Sequence, residues 1–241
     1  MADALLRRVE RDPQFAWPAP PVFPFTLPAF AGFQALELHP EVTFLVGENG
    51  SGKSTLMEAI AAKLDLDVEG GDRDLRFEDR KADTNLHEAL RLVRGPRPPS
   101  MRYFLRAESF FNVARTVDEN PGLLAGYGGK PLHGMSHGES FLALANERFY
   151  PDGLFLLDEP EAALSPTGLL GLLRRMKALT LEGGQFLVAT HSPILLAYPG
   201  ALIYELRPEG PVPTAYEDTD HYRLTRAFLN APDRFLRELF A

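Results

Sequence analysis

The sequence predicts an α/β fold, a mostly parallel sheet flanked by helices, and three observations carry that prediction. Residues 42–46, 154–157 and 185–189 are short, almost wholly apolar runs. Runs of that length and composition suit strands buried on both faces, as the central strands of parallel sheets are. Helix-forming segments fall between them, the alternation that crossover connections demand. The first run also enters a glycine-rich turn that opens directly into a helix.

That turn is the most informative stretch. After Val42-Thr43-Phe44-Leu45-Val46 come Gly47, Glu48, Asn49, Gly50, Ser51, Gly52, Lys53, Ser54 and Thr55, then a helical pattern over residues 56–62. Gly47 to Ser54 fits G-x-x-x-x-G-K-[ST], the phosphate-binding loop of P-loop NTPases. Its glycines let the backbone fold back so that several N–H groups face one anion. The helix adds its free N–H groups and its dipole at the same spot. Lys53 is suited to reach the β- and γ-phosphates of a nucleotide, and the Ser54 hydroxyl to ligate Mg2+. The alternative is an ordinary glycine turn at a helix start. The strand before it and the helix after it favour the phosphate reading.

A chain of 241 residues with 45% hydrophobic content suits one α/β domain with a sizeable core. A net charge of −8 opposes broad binding to a phosphate backbone, so nucleic acid is a disfavoured partner, with a local basic face left open. Absence of cysteine removes disulfides and thiolate metal sites. The first residues do not read as a signal peptide, and no apolar run approaches the ~20 residues that span a bilayer. The expectation is a cytoplasmic protein with no transmembrane segment, which meets the inner membrane, if at all, through a partner.

Taken in order, residues 1–33 are rich in proline and aromatics and predict an extended arm or edge strand, neither helix nor central strand. Phe23, Phe25, Phe30 and Phe33 read as core there, with stacking on adenine as the alternative for one of them. Residues 34–38 and 42–46 predict two strands across the break at His39-Pro40. Residues 65–79 form an acidic, glycine-containing stretch, 84–93 a short helix, and 94–99 a loop. A buried strand is expected at 101–105 and a helix at 108–117. Residues 121–138 are glycine-rich and read as irregular, and 140–149 as a helix. A helix at 166–181 ends at Gly183-Gly184. A short helix at 192–197, a last strand at 201–206 and helices at 219–229 and 232–240 close the chain.

Asp158 and Glu159 directly follow the apolar run 154–157. A buried strand there would hold Asp158 at its carboxyl end, near the Mg2+ that Ser54 touches. Glu159 would then orient the water attacking a γ-phosphate and accept its proton. A solvated acidic turn is the alternative. With Pro160 and Ala162-Ala163-Leu164-Ser165 behind it, the acidic pair resembles the ATP-binding-cassette (ABC) class of ATPases. Met135-Ser136-His137-Gly138-Glu139-Ser140 resembles the signature motif of that class, and Ala189-Thr190-His191-Ser192-Pro193 its switch histidine. The resemblance covers about residues 34–206.

This resemblance implies an ABC ATPase head-like fold, ATP as the nucleotide, Mg2+ as cofactor, and a homodimer formed head to tail on ATP binding. Ser136, His137, Gly138 and Glu139 of one subunit would face the γ-phosphate held by the other, the helix dipole behind them. Glu159, His191 and Lys53 make up the implied catalytic set, and Ser165 lies in the implied interface loop. Read without the resemblance, Ser136 and Glu139 spell a capping box, and His191 a core or cap histidine. Two departures stand out. His137 replaces a glycine of the signature, and no glutamine follows the strand at 101–105. Glu108 is the candidate substitute for that Mg2+-contacting glutamine, its alternative being a carboxylate at a helix N-terminus.

Only roughly 28 residues separate Glu108 from Ser136, room for neither a membrane-docking helical subdomain nor a long coiled coil. The chain most resembles the small stand-alone ATPases of the class. Arg91, Arg94, Arg97, Arg102 and Arg106 form a basic cluster in the sequence, readable as a solvated face or as a site for an acidic partner, a nucleic acid or the nucleotide itself. The expected organisation is one ABC-type ATPase domain over 1–241, with an arm at 1–33, a helical or irregular lobe at about 80–150, and C-terminal helices at 219–241. Its expected role is ATP-driven dimerisation that moves a partner or switches conformation. A transporter's nucleotide-binding subunit and a nucleic-acid maintenance or defence ATPase are the alternatives.

Overall fold

A computed structural model of the chain describes residues 3–73, 75, 84–124, 129, 131 and 134–241. Its strands are β1 (Leu6–Arg11), β2 (Ala35–Glu37), β3 (Val42–Val46), β4 (Leu90–Arg94), β5 (Arg102–Arg106), β6 (Leu154–Asp158), β7 (Gln185–Ala189), β8 (Leu202–Arg207) and β9 (Gly210–Pro213). The helices are α1 (Lys53–Lys63), α2 (Phe110–Glu119), α3 (Pro121–Leu124), α4 (His137–Arg148), α5 (Pro166–Leu181), α6 (Pro193–Leu196), α7 (Asp220–Asn230) and α8 (Pro232–Leu239). The main sheet runs β5-β6-β7-β3-β8-β9. It is parallel from β5 to β8, with β9 antiparallel at the edge.

The apolar strands divide their side chains by the two-residue period of a strand. Phe44, Tyr103, Phe155, Leu157, Phe186 and Val188 face α2, α4 and α5, where Val113, Phe141, Leu144 and Met176 meet them. Leu45, Phe104, Leu156 and Leu187 face the other way, onto Leu56, Met57 and Ile60 of α1. Both faces are thus buried, and this accounts for runs with no polar alternation. Beyond α1 lies a three-stranded antiparallel sheet of order β2-β1-β4, which adds Val9, Leu36 and Leu90 to the same core.

Several boundaries differ from expectation. The arm contains a central strand after all, because β1 is the middle strand of the small sheet. Its six residues precede the prolines that made a strand seem excluded. Residues 84–93 are not one helix. A single 3-10 turn, Asn85–Ala89, opens on the Thr84 hydroxyl, and the chain then extends as β4. Leu90 and Leu92 alternate with Arg91, a period of two that pairs with β1. The lobe predicted at 80–150 therefore begins only after β5. The edge strand β9 was not expected. Its prolines, Pro211 and Pro213, suit an edge position, where a missing donor costs little. Parts of the predicted acidic stretch 65–79 and irregular stretch 121–138 lie outside the described residues, and α3 turns within the latter.

The aromatic cluster of the arm decides most of the adenine question. Phe25, Phe30 and Phe33 are buried and pack around Trp17, whose ring lies 4.8 Å from that of Phe25 between centroids. Phe23 alone of the four stays exposed. Gln185 ties the arm to the main sheet. Its buried amide accepts from the Leu6 N–H at 2.8 Å and donates to the carbonyls of Leu6 and His39 at 2.8 and 2.9 Å.

Candidate functional site

The carboxyl ends of β3, β6 and β7 come together at one edge of the parallel sheet, and the site forms there. The turn after β3 requires its glycines. Gly52 has φ +98°, and a Cβ on it would lie 2.9 Å from Cβ of Ala29. The arm thus wraps the loop, with the Ala29 N–H donating to the Ser51 carbonyl at 2.8 Å. Glu48, Asn49 and Gly50 are exposed, while Gly47, Ser51, Gly52 and Lys53 are buried. The Lys53 ammonium folds back over the loop, donating to the carbonyls of Gly47 at 2.9 Å and Glu48 at 3.2 Å. Burial holds its pKa below the usual lysine range, opposed by the carboxylates of Glu159, Asp158 and Glu161.

Asp158 ends β6, beside β7 and α1, and is 2% exposed. The Ser54 hydroxyl donates to its Oδ1 at 3.2 Å. Burial pushes the Asp158 carboxyl up to about 7, against Arg106 and the Ser54 hydrogen bond. Glu159 follows in a left-handed conformation, φ +48° and ψ +51°, unusual for a residue with a Cβ. Strain of this kind is retained where it aims a side chain. Here it sets the carboxylate 3.2 Å from Nε2 of His191. His191 lies just after β7, and its backbone N–H donates to the Glu161 carboxylate.

A cavity of about 420 Å³ is lined by Ser54, Arg106, Glu108, His137, Asp158 and Glu159, among others. A second, of about 330 Å³, is lined by Asn49, Gly50, Gly52, Lys53, Ser54, Thr55, Glu108 and Glu159. Five of the expected residues, Lys53, Ser54, Asp158, Glu159 and His191, are therefore brought to one place. Glu108 reaches both cavities, but its carboxylate pairs with Arg106 at 2.8 Å and its side chain is 80% exposed. It is not a helix N-terminal carboxylate, since α2 starts at Phe110 behind Ser109.

The signature stretch lies at the start of α4. Ser136 and Glu139 form the capping box, the Ser136 backbone N–H donating to the Glu139 carboxylate at 3.0 Å. Gly138 packs near the Ala163 carbonyl, where a Cβ would come to 3.3 Å. His137 stacks on Phe111 and lines the cavity of its own molecule. Ser165 is exposed and caps α5, accepting from the Gly168 N–H at 3.2 Å.

Three residues at the site were not anticipated in their roles. Arg106 belongs to the basic cluster of the sequence, yet the structure gives several of its members separate partners. Arg91 pairs with Glu10, Arg97 with Asp152, and Arg102 donates to the Leu64 carbonyl. Arg106 pairs with Glu58 at 2.8 Å and lies 3.6 Å from Asp158. Glu161 holds the His191 backbone, and His221 of α7 meets the His191 ring at 2.8 Å. The donor set suits Mg2+. Ser54 and Asp158 supply one hydroxyl and one carboxylate, and Mg2+ commonly takes one or two protein oxygens together with substrate phosphates and water. Among the described residues no group of three or more His, Cys, Asp or Glu is arranged to enclose a metal by itself.

Comparison with known proteins identifies the family. The family described as "AAA domain, putative AbiEii toxin, Type IV TA system" matches residues 129–197, and one described as "AAA domain" matches residues 27–100. The hemin import ATP-binding protein HmuV of Streptomyces coelicolor is 32% identical over 176 residues, 65% of this chain and 61% of that protein. The cytochrome c biogenesis ATP-binding export protein CcmA of Salmonella typhi is 30% identical over 165 residues, 65% of this chain and 77% of that protein. Among solved structures, cbiO1 of Clostridium perfringens, part of the ABC transporter complex cbiONQ, superposes with a TM-score of 0.51. The alignment covers 98% of this chain and 99% of that one, and at 17% identity it speaks to the fold. At 30% identity over 77% of CcmA, the chain belongs to the ATP-binding-cassette family of ATPases.

Proposed function

We propose that this chain binds and hydrolyses ATP with Mg2+ and that ATP binding closes two copies head to tail. One observation carries the reading: Lys53, Ser54, Asp158 and Glu159, from separate parts of the sequence, line two cavities that share Ser54 and Glu159, and His191 reaches Glu159. The loop amides after Gly47 and the first turn of α1 would hold the phosphates. Lys53 would exchange its two carbonyl partners for phosphate oxygens. Ser54 and Asp158 would hold Mg2+, which when bound neutralises charge on the phosphates. Glu159 would accept the proton of the attacking water, with His191 fixing its carboxylate. Exposed Ser136 at the tip of α4 would serve a second copy, giving up its bond to Glu139.

The test has two parts. Wild-type protein should release phosphate from ATP only with Mg2+, and Lys53→Ala should not. Glu159→Gln should bind ATP without turnover and sediment as a dimer. A Glu159→Gln protein that stays monomeric under saturating Mg-ATP would refute the dimer, and rapid hydrolysis by it would refute the assignment of the base.

A second reading, the nucleotide-binding subunit of a transporter, is favoured by the transport and export names of HmuV and CcmA. Among the described residues no helix is long and apolar enough to cross a membrane, so the membrane part would come from a partner. Co-purification with a neighbouring gene product carrying several apolar spans would support it. Pairing of Arg91 with Glu10, Arg97 with Asp152 and Arg106 with Glu58 weakens the sequence support for a nucleic-acid role, and turnover unaffected by DNA is the expected result.

A further inference from the structure

We propose that His221, on the C-terminal helix α7, is a positioning residue that fixes the ring orientation and tautomer of His191. Nε2 of His221 lies 2.8 Å from Nδ1 of His191, and Nε2 of His191 lies 3.2 Å from Oε1 of Glu159. The three side chains thus form a line from α7 to the carboxylate at the end of β6.

The chemistry of the line assigns its hydrogens. A carboxylate oxygen only accepts, so Nε2 of His191 is the donor toward Glu159. With the hydrogen of the neutral ring on Nε2, Nδ1 of His191 is an acceptor, and Nε2–H of His221 donates to it. The same choice leaves Nδ1 of His221 without a hydrogen. That atom is buried and has no hydrogen-bond partner among the described residues. Burial, with His191 adding to it, holds the His221 pKa below the usual histidine range and so favours a neutral ring.

The donor is held in place by its own surroundings. Thr219 caps α7 and is fully buried, its hydroxyl donating to the Tyr216 carbonyl at 2.8 Å. The Asp220 N–H donates to buried Glu205 of β8 at 3.1 Å, and Glu205 pairs with Val46 at the start of the phosphate loop. The Tyr216 hydroxyl donates to the Pro193 carbonyl, two residues beyond His191. Consequently the first turn of α7 is braced against both the loop strand and the switch segment. No residue of α7 or α8 is itself buried; the buried anchor beside His221 is the cap Thr219.

This inference rests on the proposed ATPase reading for its kinetic effect but not for its geometry, and the experiment separates the two. His221→Ala and His221→Gln are compared with wild type, the glutamine amide being able to donate where Nε2–H did. Loss of one buried neutral hydrogen bond predicts a fall in kcat of about tenfold in His221→Ala, with KM for ATP within about twofold. His221→Gln should recover most of that loss. Histidine-selective 15N NMR of the nucleotide-free protein should show the His191 Nε2–H tautomer in wild type and a tautomer mixture in His221→Ala. Unchanged kcat in His221→Ala, or a His191 signal identical in both proteins, would overturn the proposal. So would failure of the glutamine to rescue, or a matching loss of folding in both variants. If wild type hydrolyses no ATP while the His191 signal shifts as expected, the ATPase reading falls and the positioning of His191 by His221 stands.

Discussion

Replacing Asp158 with asparagine should make the nucleotide-free protein more stable while removing its turnover. The carboxyl is 2% exposed, and burial raises its pKa from 3.8 to about 7. An acid whose folded pKa lies above its unfolded value keeps its proton longer when folded. Its contribution is therefore full below the unfolded pKa and is lost as pH rises through the folded one. Here the window runs from 3.8 to about 7. At about 1.36 kcal/mol per unit, roughly three units amount to about 4 kcal/mol by pH 8. Asparagine escapes that loss but gives up attraction to Arg106, which lies 3.6 Å from the carboxylate. Arg106 keeps Glu58 and Glu108, so it is not stranded. A net gain of about 2 kcal/mol at pH 8 corresponds to about 4–8 °C in Tm for a domain of this size. Thermal unfolding of wild type and Asp158→Asn, without nucleotide or metal, should show a gap that widens from pH 5 to 7 and then levels. Equal Tm values at pH 8, or a gap that is flat with pH, would refute the burial argument.

Glu159→Gly should relieve the left-handed strain at φ +48° and raise stability by about 1 kcal/mol. Glu159→Gln should not, although both lose turnover; identical melting curves for the two variants would remove strain from the account. Gly52→Ala puts a Cβ 2.9 Å from Ala29 at φ +98° and should cost about 2–3 kcal/mol. Urea unfolding measures that cost, and nucleotide binding should weaken with it. Gln185→Leu leaves the buried N–H and carbonyl of Leu6 without their partner, a loss of about 2–3 kcal/mol. Hydrogen exchange in β1 should speed up first, and unchanged protection there would count against the side chain as the tie between sheets.

What could be read in the sequence was what neighbours in the chain decide. The loop from Gly47 to Ser54 is contiguous, so its glycines, its lysine and the helix behind it all appear in order. The same holds for β6 and β7, whose burial on both faces is written in five consecutive residues each. The arginines between 91 and 106 misled for the converse reason. Proximity along the chain suggests one basic face, but Arg91 and Arg97 pair with separate carboxylates and Arg106 turns to the site, leaving Arg94 near Arg102. The partners of Arg106 are set by sheet order instead. Placing β5 beside β6 in parallel register puts Arg106 opposite Asp158, residues far apart in sequence. Leu90-Arg91-Leu92 does carry a clue, since its two-residue period argues for a strand rather than a helix. No such clue marks His221, because its position depends on how α7 returns across β8. The Arg106 register also bears on the charge of Asp158. Lys53 and Arg106 are cations facing Glu58, Glu108, Asp158 and Glu159. Replacing Arg106 with a neutral glutamine would remove the main charge that favours the ionised form of Asp158. Its carboxyl would then hold its proton to still higher pH, further from the ionised form that binds a divalent ion. Arg106, held opposite Asp158 by the β5–β6 register, thus works against burial and favours the ionised carboxylate.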